Sequence, residues 1–170
     1  MKTIVKLVIA IVLVAFCNSV SAQNLKLAHI NFQELIVAMP QYDSAQVKLN
    51  KFGQELQQLL EELQVEYNRK YEEFSKNQAT WSELVRQAKT EDLTAMMQRV
   101  QAYQQQAEEK YNQEQEKLIQ PVIEKANKAI EAVAKEKGLE YVFPANQLLY
   151  KAVGTIDLLP AVKQYLKIKN

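Results

Sequence analysis

The stretch LNKFGQELQQLLEELQVEYNRKYEEF, residues 49–74, decides the fold. Leu49, Phe52, Leu56, Leu60, Leu63, Tyr67, Tyr71 and Phe74 recur in steps of three and four, with Glu, Gln, Lys and Asn between them. That spacing lays a narrow apolar stripe along one side of a helix. Continued through Gln78, Trp81, Val85 and Ala88, the stripe takes eleven steps over 39 residues. The mean step of about 3.55 lies between the coiled-coil and straight-helix repeats.

A second stripe follows: Leu93, Met97, Val100, Tyr103, Ala107, Tyr111, Glu114, Leu118, Val122, Ala126, Ala129 and Val133. Neither stripe is wide enough to stand alone, so the two helices fold back on each other as an antiparallel hairpin. Its tip falls between Asn77 and Asp92. Thr80 with Glu83, and Thr90 with Glu91 and Asp92, are two possible starts for the return helix.

Outward from the hairpin the texture changes on both sides. Leu25 to Ile30 alternates imperfectly and reads as a short strand. Asn31 and Glu34 form the capping pair of a helix over Phe32 to Ala38, which Pro40 ends; Asp43 and Gln46 signal the next start. On the far side, Gly138 follows Lys135, Glu136 and Lys137, the composition of a helix end with a left-handed glycine stop. Leu139 to Phe143 then reads as a strand, Pro144 to Gln147 as a turn, Leu148 to Val153 as the partner strand, and Asp157 to Leu166 as a closing helix with Pro160 in its first turn.

The expected class is therefore α+β and mostly α: a small β base carrying a long antiparallel coiled-coil hairpin arm. Residues 23–42 and 138–170 make a discontinuous base, and residues 43–137 make the arm. An arm of about 40 residues reaches roughly 60 Å. Gly53 and Pro121 are weak points in its two helices. With residue 44 facing residue 137, Pro121 lies opposite about residue 60, within roughly 10 Å of Gly53 along the arm. The pair are hinge candidates.

The first 22 residues carry an address. Lys2 and Lys6 precede an uninterrupted apolar run from Leu7 to Phe16, and Val20-Ser21-Ala22 offers small residues for cleavage before Gln23. The run is ten residues long, half of what a permanent membrane span needs. Cys17, the only cysteine, leaves with this segment unless it is lipidated, and Phe16 is a poor residue for the site before a lipidated cysteine. The processed chain then holds no thiol. Its charge is 19 basic less 20 acidic residues, or −1, which gives no electrostatic basis for nucleic-acid capture.

Little catalytic chemistry is on offer. Gly53, Gly138 and Gly154 are too far apart for a phosphate-binding loop, and His29 is the only histidine. No cofactor, metal site or catalytic residue is expected. Acid pairs such as Glu61-Glu62 and Glu108-Glu109 sit on solvated helix faces. What remains is surface: 16 glutamines in the 80 residues from Gln41 to Gln120, and the rings of Tyr67, Tyr71, Phe74, Trp81, Tyr103 and Tyr111 in the outer arm. Each ring either closes the hairpin core or stays partly exposed to touch apolar segments of another polypeptide.

These residues resemble the Skp, or OmpH-like, family of periplasmic chaperones. The resemblance rests on Lys26-Leu-Ala-His-Ile-Asn-Phe32, the long hairpin, Lys117 to Phe143 ending in Ala-Val-Ala-Lys-Glu-Lys-Gly-Leu-Glu-Tyr-Val-Phe, and Ile156-Asp-Leu-Leu-Pro-Ala-Val162. It implies a homotrimer whose sheets join in a central barrel and whose arms enclose unfolded outer-membrane proteins without ATP. Familiar members are strongly basic, whereas residues 43–137 here carry 14 basic and 17 acidic side chains. Charge-driven capture and lipopolysaccharide contact are therefore not carried over. The competing reading is an exported coiled-coil scaffold or envelope adaptor with a fixed folded partner.

Overall fold

The computed structural model describes residues 25–168, so the cleavable segment read from residues 1–22 lies outside the described residues. Its elements run β1 (Leu27–Ile30), α1 (Phe32–Val37), α2 (Pro40–Asn77), α3 (Glu83–Glu136), β2 (Tyr141–Pro144), a 3-10 turn (Ala145–Gln147), β3 (Ile156–Asp157) and α4 (Leu159–Tyr165). The class is the expected one, a small sheet with two long helices forming an antiparallel hairpin. Among the described residues no helix is long and apolar enough to cross a membrane.

The sheet has the order β2-β1-β3, and both outer strands run parallel to β1. Leu27 pairs with Tyr141 and His29 with Phe143 on one side, and His29 with Asp157 on the other. Parallel neighbours need a crossover connection, and here the whole hairpin is the crossover between β1 and β2. This overturns the expected strand over Leu148 to Val153 paired with its predecessor. That segment is irregular, and the third strand is instead the two-residue β3. Its backbone is held where Leu158 N donates to His29 O at 2.9 Å.

Local chemistry sets the helix ends. Asn31 Oδ1 accepts from Glu34 N at 3.2 Å, and Glu34 answers by accepting from Asn31 Nδ2 at 3.3 Å. Pro40 does more than end α1. It opens α2 at the first helical position, where its missing N–H costs nothing, so α2 begins before Asp43. The return helix starts from neither Thr80 nor Thr90. Ser82 is its cap and accepts from Val85 N at 3.4 Å. At the other end Gly138, at φ +63°, donates to Lys135 O, while Leu139 N reaches Ala134 O at 2.9 Å. This double bond pattern satisfies the last carbonyls and needs the left-handed residue that glycine supplies.

The core sits in the base. Ala28 and Ile30 of β1, Leu35 and Ile36 of α1, Met39, and Leu158, Leu159 and Val162 at α4 surround Val122, Ala126, Ala129 and Val133 of α3. Those four α3 residues fall within the span 43–137 read as arm, yet they pack in the base. Lys163 Nζ also meets Glu34 Oε1 at 2.9 Å, tying α4 to α1. The arm by contrast is thinly buried, with Ala45, Leu49, Leu63 and Met96 as its buried side chains. Met96, not Met97, faces inward; a step of three after Leu93 keeps the stripe on the partner helix.

Stability should follow this partition. Leu35→Ala, at a fully buried site, should cost about 2–5 kcal/mol, whereas Leu84→Ala, largely exposed near the tip, should cost less than about 0.5 kcal/mol. Denaturant unfolding of the two variants checks the contrast.

Candidate functional site

The arm is the largest surface the chain offers, and its geometry follows from how α2 and α3 are set against each other. Lys70 Nζ meets Asp92 Oδ2 at 2.6 Å and Lys89 Nζ meets Glu73 Oε1 at 2.8 Å. Tyr103 donates its hydroxyl to Leu56 O at 3.3 Å. A Cβ built on Gly53 would lie 3.2 Å from the Tyr111 ring, so the absent side chain is what lets that ring approach α2. These contacts fix a register in which paired residue numbers sum to about 160–165.

That register corrects the expected one, in which residue 44 faced residue 137. Pro121 lines a groove with Pro40, Ser44, Ala45 and Lys48, near the root of α2, while Gly53 faces Tyr111. Ten residues of α3 separate the two weak points, about 15 Å along the helix. The reason is length. α3 has 54 residues and α2 has 38, and the surplus of α3 continues past the start of α2 into the base core. α3 also stays helical through Pro121.

The six rings singled out in sequence are distributed along this arm in three pairs. Tyr67 and Tyr71 stack at 6.2 Å on α2, and Tyr71 is 54% exposed. Phe74 and Trp81 meet edge to face at 5.8 Å across the tip turn. Tyr103 and Tyr111 lie between the helices, one by its hydroxyl and one by its ring edge. Of the six, Tyr71 offers the most open ring face.

The stripes also pass over several apolar side chains that end up in solvent. Val47, Leu59, Val65 and Leu84 are exposed, Leu84 at 78%. Each falls outside the three-four spacing, and an apolar residue off the stripe of an otherwise Gln- and Glu-rich helix is the signal that finds them. Together with Tyr71 they give the arm a dispersed set of weak apolar contacts on a polar, amide-rich surface.

A second exposed apolar surface lies on the base. Ala28, Ile30 and Val142 face the core. Strand alternation therefore turns Leu27, His29, Tyr141 and Phe143 to the opposite face. Tyr141 and Phe143 stack there at 6.1 Å and are both exposed, as are Leu149 and Val153 of the following loop. His29, the lone histidine, is buried in this region.

This is a protein that presents one long helical arm from a small α+β base. The sequence profile of the OmpH-like outer membrane proteins matches residues 26–166, and the chain belongs to that family. A candidate OmpH-like outer membrane chaperone from Caulobacter crescentus CB15, solved by crystallography, has the same fold. Its TM-score is 0.74 at 12% identity, with 83% of each chain covered. No curated protein matches the sequence.

The tip carries a pH-sensitive clasp. Glu73 is held below the ordinary carboxylate range by the hydrogen bond from Lys89, then by the Lys89 charge, with Arg69 and Lys70 adding to it. A depressed folded value means the contact contributes fully above the unfolded value and is lost as pH falls through the lower, folded one. Lys89 Nζ also lies 5.6 Å from the ring centre of Trp81, the only tryptophan. Trp81 fluorescence should therefore shift as acid protonates Glu73, and Glu73→Gln should weaken that response.

Proposed function

We propose that this chain is an ATP-independent holdase chaperone of the periplasm that keeps unfolded outer-membrane β-barrel proteins from aggregating. Membership of the OmpH-like family supports a chaperone role, and the arm supports the manner of it. The observation that carries the reading is the contrast between the two ends of the molecule: a densely packed base, and a long arm with a thin core and apolar residues such as Tyr71 and Leu84 left in solvent. A surface of many weak contacts holds a non-native chain without fixing its conformation. No enzymatic step is required.

The base, residues 25–42 and 138–168 with the buried end of α3, is the proposed assembly unit, and three copies would join their sheets into one central platform. The exposed face of Leu27, Tyr141 and Phe143 supports this, because contiguous apolar surface of that kind marks an interaction site. Three arms around one cavity raise the effective concentration of weak contacts, so a client is retained while each contact exchanges. Sticky strands of β-rich clients are thereby kept apart. Periplasmic residence rests on the leader-like first 22 residues and on the family.

In this scheme Tyr67, Tyr71, Phe74, Trp81, Tyr103 and Tyr111 are the proposed client-contact rings, with Tyr71 foremost. Gly53 and Pro121 are the proposed points at which the arm splays to fit clients of different size.

The processed protein should suppress aggregation of a urea-unfolded outer-membrane β-barrel on dilution, with no nucleotide present, at about one assembly per client. Light scattering that rises as fast with the protein as without it rejects the holdase. Tyr71→Ser combined with Leu84→Ser should weaken suppression several-fold while leaving thermal stability within about 1 kcal/mol.

Flexing has its own readout. Pro121→Ala restores the missing amide and should narrow the spread of arm conformations in small-angle scattering of the free protein; an unchanged profile means that Pro121 is no hinge.

A further inference from the structure

The groove at the root of the arm, about 410 Å³ between the first turns of α2 and the stretch of α3 around Pro121, is built differently from the grooves farther out. Its floor and walls are apolar, with Ala45 and Val122 buried and Pro40, Leu118 and Pro121 beside them. Lys48 of α2 and Lys125 of α3 border it, and no carboxylate does. Two other grooves of the arm carry the opposite charge: the one beside Gly53 includes Glu61, and the one along α3 at Gln105 includes Glu108, Glu109 and Glu116.

The two lysines also lack a counter-charge. Lys51, Lys70, Lys76 and Lys89 of the arm each meet a carboxylate. Among the described residues Lys48 and Lys125 form no ion pair. Neither has an Asp or Glu three or four positions away along its helix, and each has a second lysine three positions on, Lys51 and Lys128. Two such ammonium groups over an apolar floor match a ligand that joins a negative group to an apolar body.

The neutral polar groups of the groove narrow the class of ligand. Ser44 Oγ donates to Pro40 O at 3.0 Å, which uses its proton and leaves its lone pairs to accept. Gln41 adds an amide that both donates and accepts. A fatty acid has no N–H for these acceptors. The end of a polypeptide has every part the groove answers: a carboxylate, a backbone N–H close beside it, and a side chain. An unfolded client leaves that end accessible, whatever its sequence.

We infer that the root groove captures the C-terminal residue of a client, with its carboxylate held by Lys48 and Lys125, its side chain laid against Ala45 and Val122, and its N–H donated to Ser44 Oγ. A client with an apolar last residue fits best. The inference rests on the holdase reading above and adds the place on the arm where one end of the client is held.

Fluorescence anisotropy of a labelled decapeptide ending in leucine tests it, with the same peptide carrying a C-terminal amide as the control. The processed protein should bind the free acid at least about tenfold more tightly than the amide. Lys48→Gln combined with Lys125→Gln, at two exposed positions whose change leaves the chain able to fold, should bring the two peptides within about twofold of each other. Wild-type protein that binds acid and amide alike, or binds neither, overturns the groove, and so does a Gln pair that keeps the preference. Dodecanoate that displaces the labelled peptide more effectively than unlabelled free-acid decapeptide marks a lipid site and overturns it as well. The holdase is judged apart, by aggregation of the β-barrel client. Suppression without a carboxylate preference removes the groove alone, and a preference without suppression removes the holdase alone.

Discussion

Everything in this molecule hangs on the packing of one end of α3 into the base. Ala126 and Ala129 are buried there between Val122 and Val133, among Leu35, Met39, Leu158 and Val162. Small side chains let neighbouring helices approach closely, and the larger ones around them fill the remaining space. Because α3 runs on unbroken from this anchorage, the base fixes the arm's direction through a single helix. α2 then has only to pack alongside it. The buried root also explains the register: the surplus length of α3 is spent in the core, so α2 begins opposite Pro121 and not opposite the end of α3.

The sheet depends on the same anchorage. β1 and β2 are parallel neighbours separated by the entire hairpin, and two short parallel strands do not hold together in water unaided. What brings them side by side is the return of α3 to the base, with Gly138 ending the helix abruptly enough for Glu140 N to reach Lys26 O at 3.0 Å. Arm and sheet are thus one cooperative construction. The arm is the crossover of the sheet, and the sheet is the clamp that closes the arm.

Away from the base the balance of forces shifts. Two helices in contact bury one stripe each, so most side chains of the outer arm stay in water, and cross-helix contacts such as Lys70 with Asp92 and Lys89 with Glu73 supplement a sparse apolar seam. Exposed ion pairs of this kind contribute little individually. A thin seam with scattered apolar outliers suits the weak, repeated contacts that the proposed holdase needs. A flat, strongly apolar arm would instead bind its own copies. The near balance of charge along the arm fits a mode of holding that relies on apolar and amide contacts more than on electrostatic capture.

The sequence by itself determined the elements with strong periodicity or unambiguous punctuation. The stripe from Leu49 to Phe74 set α2, Asn31 with Glu34 set the start of α1, and Gly138 set the end of α3, because each reflects bonding within a few residues. The six aromatic positions were legible as ring-bearing sites on the arm, but their exposure was not. Only the tertiary structure decided that Met96 and not Met97 turns inward, that Ser82 caps the return helix, and that β3 is Ile156–Asp157 in place of the run from Leu148 to Val153. It also decided the pairing of the two helices and the isolation of His29. A three-four stripe fixes which face of a helix is apolar but is nearly unchanged by sliding one helix along another, so register comes from the one end where the helix is locked into a core. A two-residue strand has no periodicity to read; it exists because β1 offers it a free edge.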